Sequence, residues 1–238
     1  MTDAPIFAVG DIHGQAGMLA AALDRIAADP DAGAPVVFLG DYVDRGPDTR
    51  GVIDLLCEGQ AAGLPWVLLM GNHDRYMRNF LDGRGPQKPE RLSWLDPRVG
   101  GRSALRSYGV DVGEARPEAD IRADALEAVP ARHLAFLRGL KTYHETAAQI
   151  FVHAGMRPGV PLAKQAEHDL LWIRDTFLDD PRDHGKLVVH GHTALDGPVH
   201  YGNRLNLDGG AGYGRPLSAA RLVGRRAWLL SGRGRIAL

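Results

Sequence analysis

Short, nearly unbroken apolar runs alternate with stretches of helical spacing through the first third of the chain. Ile6–Val9, Val36–Leu39 and Trp66–Met70 have the apolar continuity of strands buried on both faces of a sheet. Between them, Gln15–Ala28 and Asp48–Ala62 set apolar residues at helical spacing: Met18, Leu19, Ala22, Leu23 and Ile26, then Val52, Ile53, Leu55 and Leu56. Asp48 has the short acceptor side chain of an N-cap. The order predicts a βαβαβ unit.

All three runs close in the same way, on "VGDIHG", "LGDYVDRG" and "MGNHDR". Each gives glycine and then an acid or amide at the carboxyl end of its strand. In open α/β sheets ligands bind outside those ends, so three polar loops are expected to converge on one place. A single Gly-Asp after a strand is an ordinary turn or helix start. Three in succession, rich in Asp, Asn and His, point to a site.

The middle of the chain is less regular. "DGRGPQKPERLSWLDPRVGG" from Asp82 to Gly101 mixes Gly, Pro and charge with an apolar knot at Leu92, Trp94 and Leu95. It reads as an inserted loop or short helical cap, long enough to suggest a function. Short helices are expected at Ser103–Tyr108 and Ile121–Ala128, and an amphipathic core helix at Ala131–Leu140. After Leu140 the pattern turns to strands: "KTYHE", "QIFVHAG", "KLVVHGHT", "RLNLDGG", "LSAARLV" and "AWLLS". A turn over Glu145–Gln149 suits an antiparallel hairpin. Two of these strands again end in histidine beside glycine, at His153 and at His190 with His192. Period-two alternation would put His190 and His192 on the same face.

Composition narrows the classes. With 238 residues, 45% hydrophobic and 24% charged, the chain suits one globular domain over 1–238. Lys plus Arg number 28 against 29 for Asp plus Glu, so no net basic field draws it to nucleic acid or to a membrane surface. Any phosphate recognition must be local. Cys57 is the only cysteine, which excludes an internal disulfide or thiolate cluster and fits a reducing compartment; its setting in "VIDLLCEG" is that of a small buried helix residue. The start "MTDAPIFAVGD" lacks a basic segment followed by a long apolar one, and no run approaches the roughly 18 apolar residues of a bilayer span, so a cytoplasmic protein is expected.

The polar residues at the strand ends are Asp11, His13, Asp41, Asn72, His73, His153, His190 and His192, all oxygen or nitrogen donors. Such a set favours divalent first-row ions: Mn, Fe, Zn, Co or Ni. It exceeds the needs of one ion, and a carboxylate can bridge two of them about 3.5–4 Å apart. Two dications would lower the pKa of a shared water and present hydroxide for in-line attack on phosphorus, with no phosphoenzyme. His73 is then the natural general acid for the leaving oxygen. Arg45 has the planar fork to take two phosphate oxygens.

"GDIHG", "GDYVDRG", "GNHD", "VHAG" and "GHT", in this order, resemble the motif set of the metallophosphoesterase superfamily. "GDYVDRG" is similar to its phosphoprotein-phosphatase branch, which includes serine/threonine phosphatases and diadenosine tetraphosphatases. The resemblance runs from Gly10 to about Gly210. It implies an α/β fold, the calcineurin-like β-sandwich of mixed sheets flanked by helices (α/β/β/α), with a substrate-covering insert at about 82–130. It also implies two divalent ions, manganese foremost. Asp11, His13 and Asp41 would hold the first ion; Asp41, Asn72, His153 and His192 would hold the second. Asp44 would orient His73, Arg45 and Arg174 would bind phosphate, and Asp208 would fix backbone or a ligand histidine rather than touch metal. His190 would stand behind a ligand or simply be packed. The activity implied is phosphate-monoester hydrolysis by a metal-bridging hydroxide, foremost on phosphoproteins. The alternatives are a symmetrical dinucleoside tetraphosphatase, then a phosphodiesterase or nuclease. Arg98, Arg102 and Arg106 are candidate contacts to a polyphosphate or nucleotide, although "WLDPRVGGRSALRSYG" matches the tetraphosphatase pattern only in part.

Overall fold

The computed structural model describes residues 4–85 and 92–238. The first third forms the expected unit: β1 (Ile6–Val9), α1 (Ala16–Ala27), β2 (Val36–Phe38), α2 (Thr49–Ala61) and β3 (Trp66–Leu68), with β1, β2 and β3 parallel. Asp48 caps α2 through Oδ1, which accepts the Gly51 N–H at 2.8 Å. β3 departs from expectation. It is the edge strand of its sheet, so Trp66 and Val67 are only half-buried.

A second difference follows at once. "GNHDR" is not a loop but the first turn of a helix, α3 (Asn72–Leu81). The signal lies in the third helical residue, because Asp74 turns its carboxylate back to the Gly71 N–H at 2.8 Å. Further on come α4 (Gly101–Ser107), α5 (Glu118–Ala128) and α6 (Ala131–Gly139), close to the predicted spans. Residues 86–91 of the expected insert lie outside the described residues.

The C-terminal part supplies β4 (Tyr143–Glu145), β5 (Gln149–Val152), α7 (Glu167–Trp172), α8 (Asp175–Leu178), β6 (Leu187–His190), β7 (Val199–His200), β8 (Arg204–Asn206), β9 (Ala219–Val223), β10 (Arg226–Ser231) and β11 (Gly234–Ala237). The hairpin over Glu145–Gln149 is present, with β4 antiparallel to β5. The apolar pattern does not predict β7 or β11. One holds only two residues, and the other is exposed along its whole length.

Two mixed sheets result, ordered β11-β10-β9-β1-β2-β3 and β4-β5-β6-β8-β7. Alternation assigns the faces. Ile6, Ala8, Val37 and Leu39 meet Phe151, Leu187, Val189 and Leu205 between the sheets. The opposite residues of the first sheet, Phe7, Val9, Val36 and Phe38, pack with residues of α1 to α6. Ile150, Val152 and Val188 pack with Leu170 of α7 and Phe177 of α8. The fold is thus the α/β/β/α sandwich. Among the described residues no helix is long and apolar enough to cross a membrane.

One polar network ties the helical layer together. His133, buried on α6, lies 2.9 Å from Asp54 Oδ1 through Nε2 and 2.9 Å from the Tyr108 hydroxyl through Nδ1. A carboxylate only accepts, so Nε2–H donates to it and Nδ1 accepts the Tyr108 O–H, which describes a neutral ring. Burial lowers the His133 pKa against the pull of Asp54. The unfolded chain therefore binds this proton more readily than the folded one. The stabilisation from His133 is complete above the unfolded pKa of about 6.5 and is lost as pH falls through the folded value. Tyr108→Phe is expected to cost about 1–2 kcal/mol in denaturant unfolding. His133→Gln should flatten the loss of stability between about pH 7 and 5.

Candidate metal centre

The candidate residues stand at the carboxyl ends of five strands from both sheets. Asp11 and His13 follow β1, Asp41 follows β2, and Asn72 and His73 open α3 after β3. His153 follows β5, and His192 follows β6. The non-glycine residues with positive φ among those described are His13, Asp41, Asp44, Arg45 and His192, at 49° to 71°. Every one belongs to this site. Such conformations cost on the order of 1 kcal/mol or more each, so the surrounding structure must hold them.

Asp74 supplies much of that hold. Its buried carboxylate accepts the N–H groups of Asp41 at 2.8 Å, Tyr42 at 2.9 Å and Gly71 at 2.8 Å. The Asp41 carbonyl in turn accepts from Ile12 and His13, which joins the first loop to the second. Glycine is required where chains approach. A Cβ at Gly71 would fall 2.1 Å from Asp41 Oδ1, and one at Gly191 would fall 1.9 Å from Asp11 Oδ1. Its position three residues after Gly71 is the only mark of this role in the sequence. Asp74→Asn turns an amide N–H toward a backbone N–H and is expected to cost on the order of 3 kcal/mol, read by thermal or urea unfolding.

Asp41 lies at the centre. Its Oδ2 is 3.5 Å from His13 Nε2, while its Oδ1 is 3.5 Å from His153 Nε2 and accepts the His73 N–H at 3.0 Å. Asn72 Oδ1 is 2.9 Å from His153 Nε2 and 3.0 Å from His192 Nδ1. Two overlapping groups follow, His13–Asp41–His73 and Asp41–His153–His192, each with donor atoms within 4.8 Å of one another. Asp11 is outside the first group. Its carboxylate instead accepts the His192 N–H at 3.0 Å.

The tautomers fit cations. His153 Nδ1 lies 2.9 Å from the Leu39 carbonyl and His13 Nδ1 2.9 Å from the Val43 carbonyl. Carbonyls only accept, so both Nδ1 atoms carry hydrogen and both Nε2 lone pairs face Asp41. The Asn72 and Asp41 oxygens and the His153 nitrogen thus converge lone pair to lone pair.

Electrostatics separates the histidines. Burial pushes His13 down to about 3, lowers His153 and takes His192 well below its ordinary value, so these rings are neutral. His73 goes the other way. Burial would lower it, but Asp41 and Asp44 raise it. Burial also raises Asp11, with Asp208 and Asp41 adding to the effect. Burial works against a charged Asp41 as well, and of the imidazoles around it only His73 is raised, so the carboxylate faces two neutral rings at His13 and His153. Buried carboxylates grouped in this way call for positive charge.

His73 Nδ1 donates to Asp44 Oδ2 at 2.7 Å, and Arg45 Nη2 donates to His73 Nε2 at 3.1 Å. Arg45 Nη1 is 3.0 Å from His13 Nε2, and its guanidinium lies 4.9 Å from the centre of the Tyr213 ring. The groups open into a cavity of about 550 Å³. Arg174, at the break between α7 and α8, lines it, with Nη1 3.5 Å from Thr193 Oγ1. Arg98 and Arg215 also line it, paired with Asp96 and Asp196. Arg102 does not; it binds the carbonyls of Leu95 and Val112 and serves the fold. Arg106 is exposed and outside the lining.

His190 and His192 do not share a face. The chain turns left-handed at His192, at φ 65°, which ends the alternation. His190 packs edge-on to Phe177 at 5.2 Å and lies 3.4 Å from Arg204, away from the donor groups. Asp208 Oδ1 accepts the Gly210 N–H at 2.9 Å, so it fixes backbone while lining the cavity.

A sandwich with metal-donor groups across its strand ends defines a class, and the sequence profile described as calcineurin-like phosphoesterase matches residues 4–213. The chain belongs to this metallophosphoesterase family and is a phosphoric ester hydrolase. It is 27% identical over 228 residues to serine/threonine-protein phosphatase 1 of Salmonella typhimurium, covering 91% of each chain. It is 24% identical to the asymmetrical bis(5'-nucleosyl)-tetraphosphatase PrpE of Geobacillus thermodenitrificans, covering 90% of this chain and 88% of the other. Among solved structures, a cold-active protein tyrosine phosphatase superposes with a TM-score of 0.61 at 18% identity, covering 99% of this chain and 79% of that one.

Proposed function

We propose that the chain is a dinuclear-metal phosphatase that hydrolyses phosphate monoesters on serine and threonine side chains of cytoplasmic proteins. The observation that carries the reading is Asp41, whose two oxygens face two different donor groups. In this reading Asp11, His13 and Asp41 hold one cation; Asp41, Asn72, His153 and His192 hold the other, with manganese first among the candidates. When bound, the pair supplies Lewis-acid activation of water and of the phosphoryl group.

The chain's own residues do the rest. Arg45 and Arg174 grip phosphate oxygens and orient the ester, with charge-assisted hydrogen bonds that strengthen as charge builds in the transition state. His73, held by Asp44 through Nδ1, is freed at Nε2 when Arg45 turns to the phosphate, takes up a proton there and delivers it to the leaving alkoxide oxygen. In this reading the insert covers the substrate through its described part, where Arg98 and Val99 line the cavity. Similarity to a serine/threonine phosphatase over nearly the whole chain supports this choice of substrate.

A second reading, hydrolysis of dinucleoside tetraphosphates, is favoured by Arg98 and Arg215, which extend the cationic lining beyond the two clamp arginines. Side-by-side kcat/KM with manganese tests the choice. A phosphoserine peptide is expected to exceed diadenosine tetraphosphate by about tenfold or more, a difference of ~1.4 kcal/mol in transition-state binding. The reverse order transfers the assignment to the second reading. Preference for bis-p-nitrophenyl over p-nitrophenyl phosphate would make the enzyme a diesterase.

A further inference from the structure

Asp44 is fully buried, and its carboxylate meets two side-chain donors with different origins. One is His73. The other is Trp94, fifty positions along the chain, whose indole N–H lies 2.9 Å from Oδ1 and 3.0 Å from Oδ2. Trp94 is 3% exposed and its place is tightly determined. Phe80 packs against it with ring centres 5.1 Å apart, and a Cβ on Gly101 would fall 2.6 Å from its ring atoms. Five residues beyond Trp94, Val99 lines the cavity. In the sequence Trp94 stands in an apolar knot with Leu92 and Leu95. Its N–H instead reaches the acid that orients the proposed proton donor.

We propose that Trp94 is a positioning residue for proton transfer: its indole N–H fixes the Asp44 carboxylate so that Asp44 holds His73 toward the leaving group. The bifurcated N–H occupies both oxygens, which prevents the carboxylate from rotating away from His73 Nδ1. A neutral donor does this without adding a charge that would compete with the imidazole. The segment that borders the substrate cavity thereby also completes the acid dyad. The inference rests on the reading of His73 as the proton donor.

Trp94→Phe removes the N–H and keeps a ring. For a phosphoserine peptide, whose alkoxide must be protonated, kcat is expected to fall about tenfold, the equivalent of one hydrogen bond. For 2,4-dinitrophenyl phosphate, whose leaving group needs no proton, kcat should change less than about twofold, with KM and metal content unchanged. Benzothienylalanine at position 94 replaces the N–H with sulfur at nearly constant shape and should reproduce the selectivity even if Trp94→Phe folds poorly. Phe80→Leu loosens the packing and retains the N–H, so it should lower stability without selectivity. Equal losses on both substrates, no loss at all, or the same selectivity in Phe80→Leu would each overturn the proposal. His73→Gln separates the two levels. If it shows leaving-group selectivity and Trp94→Phe does not, the positioning role fails alone; if neither shows it, the reading of His73 fails. In the His73→Gln background, Trp94→Phe should add less than about twofold, since both act in one step.

Discussion

Asp41→Asn is expected to reduce turnover of p-nitrophenyl phosphate by on the order of 10³-fold and to leave the purified protein with fewer than two metal equivalents. The amide retains one oxygen but turns an NH₂ toward one of two imidazole lone pairs, His13 Nε2 or His153 Nε2, each 3.5 Å from the carboxylate. One donor group loses its anion whichever way the amide settles. The backbone cannot adjust to compensate, because Asp74 holds the Asp41 N–H and the Gly71 backbone lies directly against Oδ1. The change also removes the one anion that both donor groups share, so the loss should exceed that of a peripheral ligand. Elemental analysis and steady-state kinetics on one preparation check the outcome. Full metal content with turnover within tenfold of the parent would show that Asp41 does not serve both groups.

The strand ends were legible because a buried strand leaves few ways to use a polar residue at its terminus, and five such ends from two sheets meet here. The sandwich followed from the motif order; periodicity alone supported only the βαβαβ unit. What escaped had local causes. Asn72 and His73 read as loop because their helix is set by a side chain inside it, Asp74, rather than by an ordinary N-cap before it. The paired orientation of His190 and His192 failed because one left-handed residue cancels strand alternation, and φ is invisible in letters. Trp94 looked apolar since its ring is buried; only long-range contact discloses where its N–H points. Arg102 illustrates the converse: an arginine in a candidate loop whose donors are spent on backbone carbonyls.

His73→Asn is the other change with a large expected effect, and its pattern matters more than its size. On a phosphoserine peptide kcat should fall by about 10² to 10⁴, the usual contribution of a positioned acid, while 2,4-dinitrophenyl phosphate should lose far less. Geometry motivates the distinction. His13 and His153 spend Nδ1–H on backbone carbonyls, an arrangement that leaves Nε2 to act as a ligand. His73 spends Nδ1–H on the Asp44 carboxylate, which favours protonation of the ring at Nε2 once Arg45, which donates to that nitrogen here, turns to the phosphate. The electrostatics agree, with His73 raised and the three others lowered. His73 nonetheless stands in the same donor group as His13 and Asp41. A ligand role would therefore reveal itself as lost metal and an equal loss on both substrates. Two metal equivalents retained, with the loss confined to the poor leaving group, would identify a proton donor; the opposite pair of results would make His73 a ligand and leave the departing alkoxide without its acid.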